Sequence, residues 1–485
     1  MPGISRKSLA AALATLLALA ACSQAPVLEV PSVPVGASYK EASGGERAEA
    51  ARPLQPDAWW TLYGDPELDA LEQQLIANSP DLAAALARYK EANAAYQAIR
   101  SNLFPTLSTA LNAQRDRQSE SKPLRVLGPN SPNEYDSVAL GFGLGYEFDL
   151  WGRVSNEVAA GRALDEAARA DLDAARLSLQ ALLAESYFIL RGLDRQIELL
   201  TETEAAFRRA LELVQSRHVG GIASGLDVSR AEAQLEAARS LLKQYVGQRA
   251  VVEHAIASQV GVPAPDFSIA PRTDAIPLPD VPVDVPSTLL QRRPDILAAE
   301  RRVEAANASV GVAKAAFFPQ LRLDATYGYQ STEFANLVTA PNVFWAIGPT
   351  LLMDLFDGGR RQADVAHAEA VLDETGANYR SVVLGAFQEV EDSLALLDNY
   401  RQAAVSEAAA VAATQRSVDL STNRYRAGAA SYLEVTVSQA SALQTRRDAQ
   451  DLTTRQLRAS VQLIRALGGG WASGSGCREQ SANPC

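Results

Sequence analysis

The sequence has 485 residues, of which 47 % are hydrophobic and 21 % charged, and its formal net charge is −12. It is too apolar for a disordered chain, and its acidic balance without basic runs excludes a nucleic-acid-binding protein. Three scattered histidines, and three cysteines outside the middle of the chain, predict neither a metal site nor a cofactor held by such residues. Beyond the N-terminus no apolar run reaches the roughly 18–20 residues of a spanning helix, so a mature membrane protein would cross with strands.

The first 21 residues have the features of a secretory signal peptide. Arg6 and Lys7 precede a short apolar stretch that ends in small residues. The sequence Leu19-Ala20-Ala21-Cys22 resembles the lipobox of bacterial lipoproteins, which implies cleavage before Cys22 and a covalent lipid on its thiol. The alternative is an ordinary signal peptide followed by an incidental cysteine. Residues 22–56 are rich in proline and predict an extended, lipidated leash.

The chain contains two copies of one unit. Residues 80–105 match residues 294–319, and residues 217–228 match residues 424–435. These matches define a first repeat (57–262), a connector (263–293), a second repeat (294–467) and a C-terminal tail (468–485). The connector is rich in proline and the tail in glycine and serine, and we expect the tail to be flexible.

Each repeat is predicted to contribute two β-strands. Large apolar residues alternate with small or charged ones along residues 138–150, 321–329 and 345–353. Each segment is near the roughly 9–11 residues of a tilted membrane strand, although strands of soluble sandwiches alternate in the same way. Four strands cannot close a barrel, and an open edge cannot face lipid. A membrane location therefore requires several chains to share one barrel.

Long helices are predicted in two proline-free regions, residues 133–262 and 350–483. Apolar residues recur there at seven-residue intervals, which is typical of coiled coils: Leu172, Leu179, Leu193, Leu200, Phe207 and Val214; Leu183, Leu190, Ile197 and Leu211; and Val383, Val390, Leu397, Ala404, Val411 and Val418. A single helix over residues 155–217 would be roughly 95 Å long.

A tight turn between helices is predicted in each repeat. Glycines end one helix and a serine begins the next: Gly220, Gly221 and Ser224 in the first repeat, Gly428 and Ser431 in the second. An acidic residue three positions after each serine, Asp227 and Glu434, predicts a capping box.

Several motifs together resemble the lipoprotein branch of the outer-membrane efflux channels, which are TolC-like and of the NodT type. They follow the lipobox in this order: Asp57-Ala58-Trp59-Trp60-Thr61-Leu62-Tyr63-Gly64-Asp65-Pro66-Glu67-Leu68, Tyr146-Glu147-Phe148-Asp149-Leu150-Trp151-Gly152-Arg153 and Gln291-Arg292-Arg293-Pro294-Asp295-Ile296. The resemblance covers residues 19–467.

The resemblance implies an α+β fold in which four strands per chain join a shared twelve-stranded barrel in a homotrimer. Long paired helices would continue that barrel as a periplasmic tunnel. The protein would be anchored to outer-membrane lipid and would conduct small molecules passively to the exterior. Its hairpin tips would contact a periplasmic adaptor, which is served by an inner-membrane proton-coupled pump of the RND type.

The resemblance also places a periplasmic gate in the second hairpin. Glu434 matches a gating carboxylate and Tyr425 a tyrosine of the closing network, and Leu433 is a neighbouring apolar gate residue. Val437 and Ala430 stand where the family has a second acid and its basic partner, which favours apolar contacts in this gate. A capping role for Glu434 is the alternative.

The same residues bear on three other functions. An enzyme is not expected, because the sequence has no Ser/His/Asp order, phosphate loop or HExxH motif. A lipid-anchored periplasmic coiled-coil protein would explain the heptads and the lipobox but not the four strands. A channel serving a type I secretion system remains an alternative to drug efflux.

Overall fold

The computed structural model describes residues 24–34, 36, 38–41, 58–119, 133–281, 289–290 and 292–469. The predicted signal peptide, the predicted lipidation site Cys22, much of the leash and nearly all of the C-terminal tail lie outside these residues. Among the described residues, the chain packs as two units. The first comprises residues 24–31, 91–119, 133–167 and 300–378, and the second the remainder.

Seven α-helices are described, and two pairs of strands interrupt them, one pair in each repeat as the sequence predicts. Their bounds are α1 Pro66–Asn78, α2 Pro80–Arg100, α3 Arg153–Val219, α4 Gly225–Gln259, α5 Pro294–Ala315, α6 Arg360–Arg426 and α7 Tyr432–Ala466. The long helices α3 and α6 both have 67 residues, and α4 and α7 both have 35. These equal lengths confirm the two-repeat architecture.

The long helix α3 starts two residues before its predicted limit. The Asp149 carboxylate accepts hydrogen bonds from the backbone N–H groups of Val154 (3.2 Å) and Ser155 (2.7 Å). An acceptor placed there satisfies backbone donors that the first helical turn leaves open. At about 1.5 Å per residue, α3 is about 100 Å long.

Four strands form one antiparallel sheet in the order β1-β2-β3-β4. Their bounds are β1 Thr106–Arg117, β2 Glu134–Phe148, β3 Gln320–Ser331 and β4 Val343–Leu352. The sequence located β2, β3 and β4 to within a few residues. It gave no bounds for β1, whose threonines, serine, asparagine and glutamine give it a weaker apolar alternation.

One face of the sheet carries the large apolar side chains, as the alternation predicts. The register places Phe142 opposite Thr109 on one side and Tyr327 on the other, and Tyr327 opposite Trp345. The opposite face carries mostly glycine, alanine and polar residues, and Phe344 is an exception. There the Phe344 ring covers Gly328, where a Cβ atom would lie 2.9 Å from the ring and would also collide with the Leu140 carbonyl oxygen.

The main hydrophobic core lies in the second unit. The N-terminal residues Trp59, Tyr63 and Leu68 pack against Tyr187 and Phe188 of α3, together with apolar residues of α4 and α7. The Tyr63 and Phe188 rings are 4.7 Å apart, and the Tyr63 hydroxyl is 2.7 Å from the Ser460 hydroxyl. The core therefore fastens the N-terminal segment to the middle of the long helices.

A buried ionic network supports that junction. Asp65 caps α1 by accepting from the Glu67 N–H (3.0 Å), and its carboxylate also accepts from the Tyr187 hydroxyl (2.8 Å) and the Arg272 guanidinium. Burial raises the pKa of Asp65, but these hydrogen bonds outweigh burial and leave the pKa lowered. Asp65 is thus ionised, and it joins the connector to α1 and α3.

A second buried carboxyl lies nearby in α1 and has different surroundings. Glu72 is fully buried, and neither of its carboxyl oxygens has a hydrogen-bond partner among the described residues. Burial, and secondarily the charge of Asp69, raises the pKa of Glu72 well above its usual value. We therefore expect this carboxyl to be protonated in the folded protein.

Candidate functional site

The candidate site consists of the two helical-hairpin tips, both of which belong to the second unit. At the first tip α3 ends at Val219, and Gly221 adopts a left-handed conformation with φ +74°. The backbone N–H of Ile222 bonds back to the Arg217 carbonyl (2.8 Å), which closes the turn. Only glycine adopts this conformation without strain, so Gly221 fixes the turn as the sequence predicts.

The first tip contains the predicted capping box. The Ser224 hydroxyl accepts from the Asp227 N–H (3.2 Å), and the Asp227 carboxylate accepts from the Ser224 N–H (3.2 Å). The serine hydroxyl also donates to that carboxylate at 2.8 Å. Asp227 is thereby committed to the start of α4.

The second tip repeats the backbone of the first but not its capping box. Gly428 has the same φ of +74°, and Ser431 has the same backbone angles as Ser224. The Ser431 side chain makes no capping hydrogen bond, so the capping box predicted for Ser431 and Glu434 is wrong. The physical reason is that Glu434 turns toward a cation instead.

Glu434 forms an ion pair within its own hairpin. Its carboxylate lies 3.2 Å from the Arg424 guanidinium, near the end of α6, and Arg424 also donates to the Ala429 carbonyl (3.3 Å). Arg424 thus supplies a positive charge that Ala430 does not. Both side chains remain about half exposed, so the pair can exchange with water or with another charge.

Arg217 joins the two tips. Its guanidinium, from the last turn of α3, donates to the main-chain carbonyls of Tyr425 (2.9 Å) and Arg426 (2.8 Å) in α6. It also lies over the Tyr425 ring, 4.7 Å from the ring centroid. Arg217 therefore satisfies carbonyl groups that the end of α6 leaves open, and it holds the second hairpin against the first.

Tyr425 is a buried residue of the junction between the hairpins. It packs with Tyr432 and Val435 of α7, Val214 of α3 and Ala231 of α4. The Tyr425 and Tyr432 rings are 5.3 Å apart. Burial, followed by the charges of Tyr425 and Asp227, raises the pKa of Tyr432 to about 12. The Tyr432 ring is thus a neutral apolar contact with a polar end.

The remaining gate candidate faces a groove. Leu433 is about half exposed and lines, with Glu434 and Val437, an open groove of about 660 Å³ between α6 and α7. Leu420 and Arg424 line its other side. The structure therefore brings Glu434 and Leu433 together on an accessible surface, and it places Tyr425 behind them in the interior.

Sequence reasoning missed the role of Arg217 and of Tyr432. Arg217 occupies the position in the first repeat that Arg424 occupies in the second, and each begins the matched tip segment. That shared position was a signal that both arginines have a structural role. It could not show that Arg217 bonds to the second hairpin whereas Arg424 bonds within its own hairpin.

The part of the chain that the structure describes contains no helix that is both long enough and apolar enough to cross a membrane. Nor do three or more histidine, cysteine, aspartate or glutamate side chains gather there into a group that could hold a metal ion.

Comparison with known proteins decides the family. The profile described as "Outer membrane efflux protein" matches residues 71–262 and 285–469, one segment in each repeat. The chain belongs to the outer membrane efflux protein family. The resemblance inferred from its sequence motifs is thereby confirmed.

Individual members of the outer membrane efflux protein family match over nearly the whole chain. "Outer membrane protein OprJ" of Pseudomonas aeruginosa is 33 % identical over 96 % of this chain and 96 % of its own length. "Pyoverdine export outer membrane protein OpmQ" of the same organism is 32 % identical over 97 % and 98 %. A solved membrane protein from Pseudomonas aeruginosa is 31 % identical, covers 92 % of this chain and all of its own, and superposes with a TM-score of 0.84.

These matches establish the cellular role. The protein is the outer-membrane channel component of an efflux system, as predicted. Its family consists of channel proteins rather than enzymes.

Proposed function

We propose that three copies of this chain form one exit channel, which conducts small molecules from the periplasm to the exterior. The four-stranded sheet carries the proposal, because its outer strands β1 and β4 each have only one neighbour among the described strands. A strand edge without a partner cannot face lipid, since its N–H and C=O groups would be unsatisfied. Three sheets joined edge to edge would form a barrel of twelve strands.

The proposed channel is anchored by a lipid on Cys22 and is continued in the periplasm by the long helices. Covalent acyl chains favour membrane attachment by about 0.8 kcal/mol for each buried CH₂ group. The length of about 100 Å for α3 suits a conduit that crosses much of the periplasm.

The hairpin tips are the proposed contact for a periplasmic adaptor, which links the channel to an inner-membrane pump of the RND type. At the first tip Val219 and Ile222 are 90 % and 77 % exposed, and Leu226 is also exposed. Exposed apolar side chains at three nearby positions favour a protein partner. OpmQ, a relative, is named for pyoverdine export, and we propose small organic molecules as the cargo of this channel.

The second hairpin is the proposed gate of the periplasmic entrance. Glu434 and Leu433 lie on the open groove, and Arg217 connects this hairpin to the first through Tyr425. Three such hairpins around one axis would place three copies of Glu434 near each other. Each carboxylate would then be balanced by Arg424 in the resting arrangement.

Two measurements test the proposed function. Light scattering of the purified protein in detergent should give three protomers per particle, and a monomer would contradict the shared barrel. A photo-cross-linking residue at Ile222 should form an adduct with the periplasmic adaptor in cells. The same residue at exposed Val251, far from the tip on α4, is the control and should not. Equal adducts at both positions, or none, would remove the tips as the docking surface.

A further inference from the structure

A stacked aromatic pair lies at the end of the β2–β3 ladder that adjoins the helices α3 and α5. Trp151 follows β2 and Phe318 precedes β3, and their rings are nearly parallel, at 4.8 Å and 20°. The ladder pairs Phe148 with Leu321, so Trp151 and Phe318 lie three residues farther along the same register. The indole N–H of Trp151 also donates to the Pro319 carbonyl at 2.8 Å.

The second copy of this pair is divided between the two edges of the sheet. Phe104 and Pro105 precede β1 as Phe318 and Pro319 precede β3, and they are the equivalent residues of the repeat. After β4, the sequence Asp354-Leu355-Phe356 corresponds to Asp149-Leu150-Trp151 after β2. Phe356 is thus the counterpart of Trp151, and Phe104 is the counterpart of Phe318.

The divided pair is exposed where the intact pair is covered. Phe356 is 91 % exposed, Leu355 is 89 % exposed and Phe104 is 62 % exposed. Trp151 and Phe318 are half-buried. Because Phe104 lies beside one edge strand and Phe356 beside the other, neither contacts the other within one four-stranded sheet.

We propose that Phe356 of one protomer stacks on Phe104 of the next, and so repeats between chains the Trp151–Phe318 contact that exists within the chain. The proposal rests on the proposed trimer, and it specifies which residues close the contact and in which register. The occupant of the exposed aromatic surface is thus a second copy of this chain. Each repeat contributes one pair of strands. The proposed junction of β4 with β1 between chains is therefore equivalent to the junction of β2 with β3 between repeats.

The proposed pair sets the register between chains. With Phe356 opposite Phe104, the antiparallel ladder places Leu352 opposite Ser108 and Val343 opposite Arg117. The whole of β4 then pairs within β1, whose last residue is Arg117. Apolar Leu351 and Ile347 come opposite Thr109 and Ala113, on the face that carries the apolar residues. A shift of one residue would place them against the small polar face instead.

One chemical difference separates the two contacts. Phe356 has no N–H group, so the Pro105 carbonyl lacks the donor that Trp151 gives to Pro319. The substitution Phe356→Trp should therefore add a hydrogen bond across the proposed junction. A gain of trimer stability from a larger side chain is not expected if residue 356 faces solvent or lipid alone.

Disulfide cross-linking tests the register in the full-length protein purified in detergent. Residues directly opposite in an antiparallel pair have Cβ atoms about 4.5–5.5 Å apart, close enough for a disulfide after a small adjustment. The proposed register places Ala110 opposite Thr350. In a background with Cys477→Ser and Cys485→Ser, Ala110→Cys with Thr350→Cys should give covalent dimers and trimers on oxidation.

The matched controls shift one position of that cysteine pair by two residues. Ala110→Cys combined with Gly348→Cys or with Leu352→Cys keeps the same face and should cross-link several-fold less. Preferential cross-linking of either control, or no cross-linking of any pair in a particle that light scattering shows to be a trimer, would overturn the inference. A monomeric particle would instead contradict the proposed function.

The thermal dissociation of the detergent-resistant trimer tests the aromatic contact itself. Phe356→Ala and Phe104→Ala should each lower the dissociation temperature, and the double variant should lose little more than either single one. Phe356→Trp should raise it, because the indole N–H can donate to the Pro105 carbonyl, and the gain should be smaller when Phe104 is also alanine. Additive losses from the two alanine variants would show that the rings do not touch, and no gain from tryptophan would show that residue 356 does not reach the Pro105 carbonyl.

Discussion

The guanidinium of Arg217 lies 4.7 Å from the centroid of the Tyr425 ring and donates a hydrogen bond of 2.9 Å to the Tyr425 carbonyl. The two residues are 208 positions apart in the chain and belong to different hairpins. Arg217 is thus the contact through which the first hairpin holds the proposed gate.

The variant Arg217→Lys should weaken that contact. Lysine keeps the charge, but it cannot donate to two carbonyls in a fixed fork while stacking on a ring. A hydrogen bond from a charged donor contributes about 1.5–3 kcal/mol, and partial exposure favours the lower value. Since about 1.4 kcal/mol is a factor of ten, we expect roughly tenfold more frequent opening in single-channel recordings.

The control for this prediction is Arg208→Lys on the same helix. Arg208 pairs with Glu204, also in α3, and makes no described bond to the second hairpin. Arg208→Lys should leave the frequency of channel opening unchanged. If the two lysine variants behave alike, Arg217 does not restrain the gate.

Glu434→Gln should change permeation more than stability. The Glu434–Arg424 pair is about half exposed, so its loss should alter the thermal midpoint little. Removal of three carboxylates from the entrance should lower the preference for cations over anions and weaken block by trivalent metal ions added on the periplasmic side. Reversal potentials and blocking concentrations in a planar bilayer measure both effects.

Asp448→Asn is the matched control for Glu434. It removes the same charge from an exposed position farther along α7. Equal effects of the two variants would assign selectivity to the net charge of the tunnel. The gate would then rest on Tyr425 and Leu433.

Glu72→Gln should stabilise the protein at neutral pH. Burial raises the pKa of the Glu72 carboxyl in the folded state, whereas the pKa of the unfolded carboxyl is about 4.3. Stability from this group is therefore full below the unfolded pKa, and it falls as pH rises toward the folded pKa, by up to about 1.4 kcal/mol per pH unit. Glutamine has no such dependence.

Thermal unfolding followed by circular dichroism between pH 4 and pH 8 tests this sign. The wild type should lose stability relative to Glu72→Gln as the pH rises. Glu91→Gln, at an exposed position on α2, should follow the wild type. A glutamine variant that is less stable than the wild type at neutral pH would show that Glu72 is ionised and paired.

The sequence predicted those features that follow from local chemistry. The repeated segments predicted the two equal hairpins, and the alternation of apolar with small residues predicted β2, β3 and β4. The glycines followed by a serine predicted the turn at Gly221 and Ser224. The capping box predicted at Ser431 was wrong because the Glu434 carboxylate can accept either from a backbone N–H or from the Arg424 guanidinium. Which donor it binds depends on the folded geometry of the tip. The Arg217 contact was equally inaccessible, because it joins residues of different repeats.

The lipid anchor predicts a definite N-terminus. If Cys22 is acylated, mass spectrometry of the N-terminal peptide should show a mature chain that begins at Cys22 with a diacylglycerol and an acyl group. Cys22→Ser should prevent this modification while leaving the strands able to insert. An unmodified Cys22, or a mature chain that retains Leu19, would contradict the lipoprotein assignment.

The most direct test of the central claim is the conductance of the purified protein in a planar lipid bilayer. A shared barrel continued by a helical tunnel should give discrete conductance steps that favour cations. The same preparation of a variant with Phe142→Arg, on the apolar face of β2, should insert less, because arginine near the membrane midplane costs about 2–4 kcal/mol. Failure of the unmodified trimer to produce any conductance steps would contradict its role as a channel.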